Sequence, residues 1–143
     1  MRTINFVRQL DDSGCGIACL AMVKNSDYYK IKNSLKKLVK FRNGDYGLYK
    51  SHILLGLGRK YVGRYYKFID TKSWTKLEKE NKVLAIVGLN KKLDRTKTPT
   101  WHWIVYQKDS RNGGFIFDPQ SKKWSGKRKI SKKTRIWTYI IIK

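Results

Sequence analysis

The chain lacks the features of membrane-spanning and secreted proteins. No apolar run approaches the ~18 residues that a membrane span needs, and the N-terminal stretch "MRTINFVRQLDD" reaches acidic residues before a signal-peptide core could form. Only two prolines occur, and no Pro-rich linker, low-complexity segment or internal repeat divides the sequence. These absences predict one domain over residues 1–143 without a membrane span, in the cytoplasm unless another system exports it.

Cysteine and histidine are also scarce. The two cysteines, Cys15 and Cys19, lie four residues apart. On one helix face this spacing is near the geometric limit of a disulfide, and the bridge would close too short a loop to stabilise much. The two histidines, His52 and His102, could join the cysteines in a zinc site, but the four residues lack the close-spaced pairs of structural zinc sites. We therefore expect no disulfide, no metal ion and no cofactor.

Acidic residues are few compared with basic ones. Lysine and arginine number 33 against 10 aspartates and glutamates, which gives a formal net charge of +23. An imbalance of this size favours polyanionic partners such as RNA, DNA, an anionic lipid surface or an acidic protein. The lysines are spread along the chain, which indicates a solvated basic face and not a disordered arm. A lysine-rich genome that raises surface lysine without purpose is the alternative explanation.

The hydrophobic content of 41%, with 13% aromatics, is enough for one core. Helical patterns come first along the chain, in "CGIACLAMVKN", "YYKIKNSLKKLVKF" and "LYKSHILLGLGRKYV", the last ending near Gly58 or Gly63. Extended patterns follow in "GRYYKFI", "KVLAIVGL", "HWIVYQK", "GGFIFD" and "RIWTYIII", with a short helix predicted in "TKSWTKLEKEN". Helices followed by strands predict an α+β fold, with N-terminal helices packed on a C-terminal antiparallel sheet.

Cys15 is a candidate nucleophile at the start of the first predicted helix. A helix N-terminus places partial positive charge beside a thiol and so favours the reactive thiolate. The flanking Gly14 and Gly16 let the backbone turn sharply and let a substrate carbonyl come close. Candidate caps for this helix are Asp11, Asp12 and Ser13. We expect Cys15 to be reactive and partly exposed, although a buried structural thiol fits the same stretch equally well.

His102 and Asp118 are the candidate partners of that thiol. Strand alternation sends Trp101, Trp103 and Val105 to one side and places His102 on the other. The turn-rich "DSRNGG" makes the two strands a hairpin, which brings Asp118 close to His102. A carboxylate in that place can hold an imidazole in one tautomer and stabilise its cation. Taken singly, a structural histidine and an Asp-Pro turn explain the two residues as well.

Gln9 is the fourth candidate and lies six residues before Cys15. Its side-chain amide could donate a hydrogen bond to the oxyanion that forms during acyl transfer, with the Cys15 backbone N–H as the second donor. Glutamine is common on protein surfaces, so the residue carries no signal by itself.

The four residues together follow the chain order of papain-like cysteine hydrolases. More particularly, "QLDDSGCGIACLAMV", "HWIVYQK" and "FIFDPQ" resemble the opening, the histidine strand and the Asp-Pro strand of bacteriocin-processing double-glycine peptidases. The resemblance spans nearly the whole chain. It implies a papain-like fold with Cys15 as nucleophile, His102 as base, Asp118 as orienting residue and Gln9 as oxyanion donor, and it implies that Cys19 is structural.

Two functions follow from these observations. The first is a stand-alone cysteine hydrolase, a peptidase that cleaves a peptide or protein substrate after small residues. The alternative takes the net charge as its starting point: an antibacterial toxin of the same fold that cleaves RNA without a metal, delivered by export and held by an acidic immunity or inhibitor protein. His102, Asp118 and the lysines could supply a base and cations for such cleavage. Aromatic residues among the cations, in "RKYVGRYYK" and "WSGKRK", could stack on bases.

Overall fold

The structure is a computed structural model that describes residues 4–58, 62–67, 77, 79, 83–90, 101–108, 114–121, 127–129 and 136–142. Within these residues there are three helices, α1 (Cys15–Val23), α2 (Tyr28–Lys36) and α3 (Lys50–Leu57). Six strands follow, β1 (Val62–Lys67), β2 (Val83–Asn90), β3 (Trp101–Lys108), β4 (Phe115–Phe117), β5 (Lys127–Lys129) and β6 (Ile136–Ile142). Helices precede strands, so the α+β prediction is confirmed. No helix in these ranges is long and apolar enough to cross a membrane.

The strands form one antiparallel sheet in the order β1-β6-β2-β3-β4-β5. The predicted hairpin is present, with Val105 of β3 opposite Phe117 of β4, although the connecting residues 109–113 lie outside the described ranges. This register brings the start of β3 and the end of β4 to the same end of the sheet. The edge strand β5 was not predicted, because its "KRK" sequence has neither apolar alternation nor β-branched residues.

The sheet buries both faces. Trp103 and Val105 belong to the apolar cluster on the side of the three helices, whereas Ile104 and Tyr106 belong to a second cluster on the opposite side. Alternation along β3 is therefore confirmed. All nine residues of α1 are buried, because this helix is apolar around its whole circumference and packs against β3. Burying each large apolar side chain contributes roughly 1.5–3 kcal/mol, so α1 is held firmly against the sheet.

The start of α1 differs from the prediction. Its N-cap is Gly14, and no side chain caps the helix. The prediction of a cap from Asp11, Asp12 or Ser13 was therefore wrong. Two of these side chains have partners elsewhere: Asp11 binds two residues of α2, and the Ser13 hydroxyl accepts the main-chain N–H of Tyr46 at 2.8 Å. Tertiary contacts have replaced local capping in this loop.

The predicted C-terminal ends of α2 and α3 agree with the structure to different degrees. Helix α3 ends at Leu57 with Gly58, one of the two predicted sites, as its C-cap, where a φ of 70° favours glycine. Helix α2 is shorter than its apolar pattern predicts, since it ends at Lys36 and leaves Leu38 60% exposed. Of the short helix predicted in "TKSWTKLEKEN", only Leu77 and Lys79 lie within the described residues, and both are helical.

Candidate active site

Cys15 is the first residue of α1, as predicted, and its side chain faces β3. The main-chain N–H of Trp103 points at the Cys15 Sγ, with 3.5 Å between nitrogen and sulfur. Only 9% of Cys15 is exposed, so the thiol is more enclosed than the expected partly exposed one. The sulfur thus lies between a helix N-terminus and a strand N–H group.

The two glycines beside Cys15 leave room for neighbouring side chains that pack closely on the main chain. A Cβ at Gly14 would overlap the Tyr28 hydroxyl, and a Cβ at Gly16 would lie 3.0 Å from the side chain of Leu48. The φ of Gly14 is −85°, which any residue can adopt. Close packing and not backbone turning therefore explains the glycines, which corrects the reason expected from the sequence.

His102 and Asp118 form the polar pair that the hairpin predicts. The His102 Nε2 lies 2.6 Å from the Asp118 Oδ1, and both residues are buried. The main-chain N–H of Gln120 donates to the same carboxylate oxygen at 3.0 Å. An ionised carboxylate only accepts hydrogen bonds, so Nε2 carries a proton in this pair. The other ring nitrogen, Nδ1, is then the atom available for the hydrogen bond with Cys15.

The surroundings of His102 favour its cation. Burial lowers the pKa of the imidazole, but the hydrogen bond to Asp118 and the hydrogen bond with Cys15 outweigh that effect, so the pKa is raised above its usual value. An imidazolium beside a thiol in turn stabilises the thiolate. The arrangement can therefore hold a thiolate–imidazolium pair, the form in which a thiol attacks an acyl carbon.

Cys19 lies one turn further along α1 and has a different environment. It is fully buried, and both cysteines are free thiols. Burial, together with the nearby Cys15 and Asp118, raises the pKa of Cys19 well above its usual value. Cys19 therefore stays protonated and inert at physiological pH, and it cannot substitute for Cys15.

Gln9 connects the turn after Asp118 with the loop before Cys15. Its main-chain N–H donates to the carbonyl oxygen of Pro119 at 3.1 Å, next to Asp118. Its side-chain Nε2 donates to the carbonyl oxygens of Asp11 at 3.1 Å and Asp12 at 2.8 Å, while Oε1 is buried and has no hydrogen-bond partner among the described residues. Gln9 is thus close to the site, but both amide hydrogens are directed at main-chain carbonyls. Its role as oxyanion donor stays a prediction.

The remaining candidate, His52, has a local role. Its Nδ1 accepts the main-chain N–H of Tyr49 at 3.1 Å and the two rings make an edge contact, so His52 helps to cap α3. Within the described ranges, no three His, Cys, Asp or Glu side chains form a group that could hold a metal ion.

Trp103 is the contact that sequence reasoning missed. Its buried indole donates to the carbonyl oxygen of Leu48 at 2.8 Å, and Leu48 in turn packs on Gly16. Its main-chain N–H, which is the group aimed at Cys15, carries no side-chain signal in a sequence. Only its position next to His102 could have indicated it.

Known proteins share the fold that holds these residues. The model of the Peptidase C39 family matches residues 3–143. A crystal structure of a double glycine motif protease from an AMS/PCAT transporter, in complex with the leader peptide, has a TM-score of 0.64 at 21% identity, covering 98% of this chain and 91% of that chain. A C39-like peptidase from Bacillus anthracis has a TM-score of 0.63 at 17% identity, covering 98% and 94%. No curated protein sequence matches the chain. At these identities the two structures show a shared fold.

Proposed function

The chain belongs to the Peptidase C39 family, and from that premise we propose that it is a cysteine peptidase that cleaves peptides after small residues. Cys15 is the nucleophile, His102 the general base and acid, Asp118 the orienting carboxylate and Gln9 an oxyanion donor. One observation carries the proposal: the buried pair between His102 Nε2 and Asp118 Oδ1, 2.6 Å apart, beside a thiol at a helix N-terminus. The papain-like fold of the family fits the same assignment.

The proposed reaction has two halves. In the first, His102 takes the Cys15 proton, and Sγ attacks the scissile carbonyl carbon to form a tetrahedral oxyanion. The Cys15 main-chain N–H and the Gln9 amide donate to this oxyanion. His102 then returns the proton to the leaving amine, which departs and leaves a thioester. In the second half, water attacks the thioester with His102 as base, and the acid product leaves as the thiol is regenerated.

The enclosure of the site around Cys15 favours substrates with small residues before the scissile bond. Cys15, His102 and Asp118 are respectively 9%, 4% and 7% exposed, so little space surrounds the sulfur. We expect so enclosed a site to accept a small side chain next to the scissile carbonyl more readily than a bulky one. The double glycine motif protease of similar fold was crystallised with a leader peptide. A peptide that ends in two small residues before the cut is therefore the substrate class that we propose.

Peptide cleavage is the direct test of this function. We expect turnover of peptides that carry Gly-Gly before the scissile bond, and a loss of at least ~10²-fold in kcat/KM when the second glycine is replaced by leucine, because overpacking opposes the transition state. Peptides with Gly-Ala serve as the matched control and should retain most of the rate. Equal cleavage of the Gly-Leu peptide would contradict the specificity.

The same assay distinguishes the peptidase function from the ribonuclease alternative. That function rests on the net charge, and neither the family nor the similar structures support it or an acidic immunity partner. Turnover of RNA without turnover of any peptide would overturn the peptidase proposal. RNA binding that weakens steeply with salt and brings no cleavage would account for the charge and leave the peptidase standing.

The pH dependence of cleavage tests the role of Asp118. Its hydrogen bond helps to raise the pKa of His102, so the imidazolium persists to higher pH and is lost on the alkaline side. In the Asp118→Asn variant the alkaline limb of kcat/KM should move to lower pH. The rate should fall by less than the roughly 10²–10⁴-fold that general acid–base catalysis contributes, because the amide oxygen still accepts from Nε2. The matched control is Asp12→Asn, an exposed carboxylate of the same region. An alkaline limb that stays in place would contradict the assignment.

A further inference from the structure

The loop that precedes Cys15 is attached to its surroundings at several points. Gln9 joins it to the turn after Asp118 through the Pro119 carbonyl, and the Gln9 side chain binds the carbonyls of Asp11 and Asp12. The main-chain N–H of Gly14 donates to the Asp11 carbonyl oxygen at 3.0 Å. The main chain of Asp11 is therefore connected to both ends of the loop, and its position affects where α1 begins.

The side chain of Asp11 attaches the same loop to α2. The Tyr28 hydroxyl donates to its Oδ2 at 2.6 Å, and the Lys32 ammonium lies 3.2 Å from Oδ1 and 3.0 Å from Oδ2. The Lys32 Nζ also lies 3.9 Å from the centre of the Tyr46 ring. Tyr46 is itself bound to the loop, because its N–H donates to Ser13. Two segments distant in sequence thus converge on residues 11–14.

This ion pair is more enclosed than its neighbour on the same helix. The side chains of Lys32 and Asp11 are 14% and 24% exposed, whereas those of Lys30 and Asp27 are 78% and 57% exposed and 3.8 Å apart. Burial raises the pKa of Asp11, but the hydrogen bonds from Tyr28 and Lys32 outweigh it, so the pKa is lowered. Burial and the Asp11 hydrogen bond raise the pKa of Tyr28. Asp11 therefore remains an ionised carboxylate, and its negative charge is balanced by the ammonium of Lys32.

A carboxylate in this loop acts against the chemistry of Cys15 unless it is neutralised. Asp11 lies four residues before the thiol in sequence, and its main-chain carbonyl accepts the N–H of Gly14, the residue before Cys15. A negative charge close to a thiol opposes the formation of a thiolate. The Tyr28 hydroxyl that binds Asp11 also packs on Gly14, the residue before Cys15. One group of contacts can therefore set both the electrostatics and the position of the thiol.

We propose that Lys32 and Tyr28 are positioning residues for Cys15: through Asp11 they hold the loop of residues 11–14 in place, and Lys32 cancels the negative charge of Asp11. The inference rests on the proposed function of Cys15 as nucleophile. Neither residue touches the reacting atoms. Lys32 acts on the thiol through the charge of Asp11, and Tyr28 acts through Asp11 and through its contact with Gly14.

The test measures the reactivity of Cys15 without a substrate. The rate of iodoacetamide alkylation at Cys15 is followed from mildly acidic to alkaline pH, with buried Cys19 as an internal baseline. In Lys32→Met the rate at neutral pH should fall roughly 3- to 10-fold, the range for one partly screened charge, and the profile should move to higher pH. Lys30→Met is the matched control on the same helix and should leave the profile unchanged. Lys32→Arg should restore it, because the cation is kept.

A double variant separates charge from structure. In Asp11→Asn with Lys32→Met, neither position 11 of the loop nor position 32 of α2 carries a charge. The alkylation profile should therefore return towards that of the unmodified protein. A purely structural role predicts the opposite, because the double variant would then be at least as impaired as Lys32→Met. Should Lys32→Met fail to fold, Tyr28→Phe removes one hydrogen bond to Asp11 with little change of volume, and it should slow alkylation at neutral pH by a smaller factor.

Two results would overturn the inference: alkylation of Lys32→Met that matches Lys30→Met at every pH, or a double variant that is no better than Lys32→Met. Failure of the proposed function is a different result. If no peptide is cleaved while the Cys15 profile still responds to Lys32, the positioning role holds and the peptidase assignment is wrong. If peptides are cleaved and Lys32→Met has the kcat and KM of Lys30→Met, the peptidase assignment holds without this cluster.

Discussion

We expect Cys15→Ala to abolish peptide cleavage and His102→Ala to lower kcat almost as far. In the proposed reaction the acyl group is carried on the Cys15 sulfur, and alanine has no atom that can form that bond. His102→Ala removes the proposed base for the thiol proton, together with the imidazolium that would stabilise the thiolate. The measurement is kcat for a Gly-Gly peptide. Cys19→Ala is the matched control, since it removes the other thiol of α1 and should leave kcat nearly unchanged.

The double variant tests whether the two residues act as one unit. Residues that depend on each other lose activity non-additively, so Cys15→Ala combined with His102→Ala should be hardly worse than either single change. Full activity in Cys15→Ala would show that the glycine-flanked cysteine is part of the scaffold. Losses that multiply in the double variant would show that the two residues contribute independently, against the proposed pair.

We expect Gln9→Ala to lower kcat on the order of 10²–10³-fold, the loss that follows removal of one oxyanion donor. In the structure the Gln9 amide donates to the carbonyls of Asp11 and Asp12. The proposed role therefore requires Gln9 to release at least one of them when the oxyanion forms. An interaction made only in the transition state lowers kcat and kcat/KM equally, so KM should change little.

Two further variants distinguish this role from mere support of the loop. Gln9→Glu keeps the size of the side chain but removes its N–H donors, and it should be as impaired as Gln9→Ala. Gln120→Ala is the matched glutamine control, because the contact of this residue with Asp118 comes from the main-chain N–H, which the substitution retains. A loss below about tenfold in Gln9→Ala would contradict the oxyanion role. A rise in KM with unchanged kcat would instead assign Gln9 to holding the loop.

Local patterns along the chain were enough for several features of the site. The turn residues up to Gly14 and the apolar run after them predict α1 with Cys15 as its first residue. A helix that is apolar all round belongs in a core, so the burial of α1 follows from the same run. Alternation in β3 and the turn before β4 predict the hairpin that brings His102 to Asp118. These predictions depend on residues near one another in sequence, so period and turn chemistry suffice for them.

Other features depended on contacts that no local pattern contains. The capping prediction at Asp11 and Ser13 was wrong because α2 and Tyr46 offered those side chains better partners. The end of α2 came earlier than its apolar spacing predicts, and strand β5 exists because it pairs with β4. In each case a hydrogen bond or an apolar contact between distant segments outweighed a local preference.

The sequence by itself determined the fold class, the helix start at Cys15 and the hairpin of His102 and Asp118, because apolar period and turn residues act over a few neighbours. The tertiary structure alone decided how the site is closed and charged. It buries the thiol to 9% exposure, aims the Trp103 N–H at Cys15 and directs the Gln9 amide at main-chain carbonyls. It also pairs Asp11 with Lys32, 21 residues away. Those arrangements arise only when the packing of α1, α2 and β3 fixes distances between segments, and the free energy of each contact depends on that distance and on the exclusion of water around it.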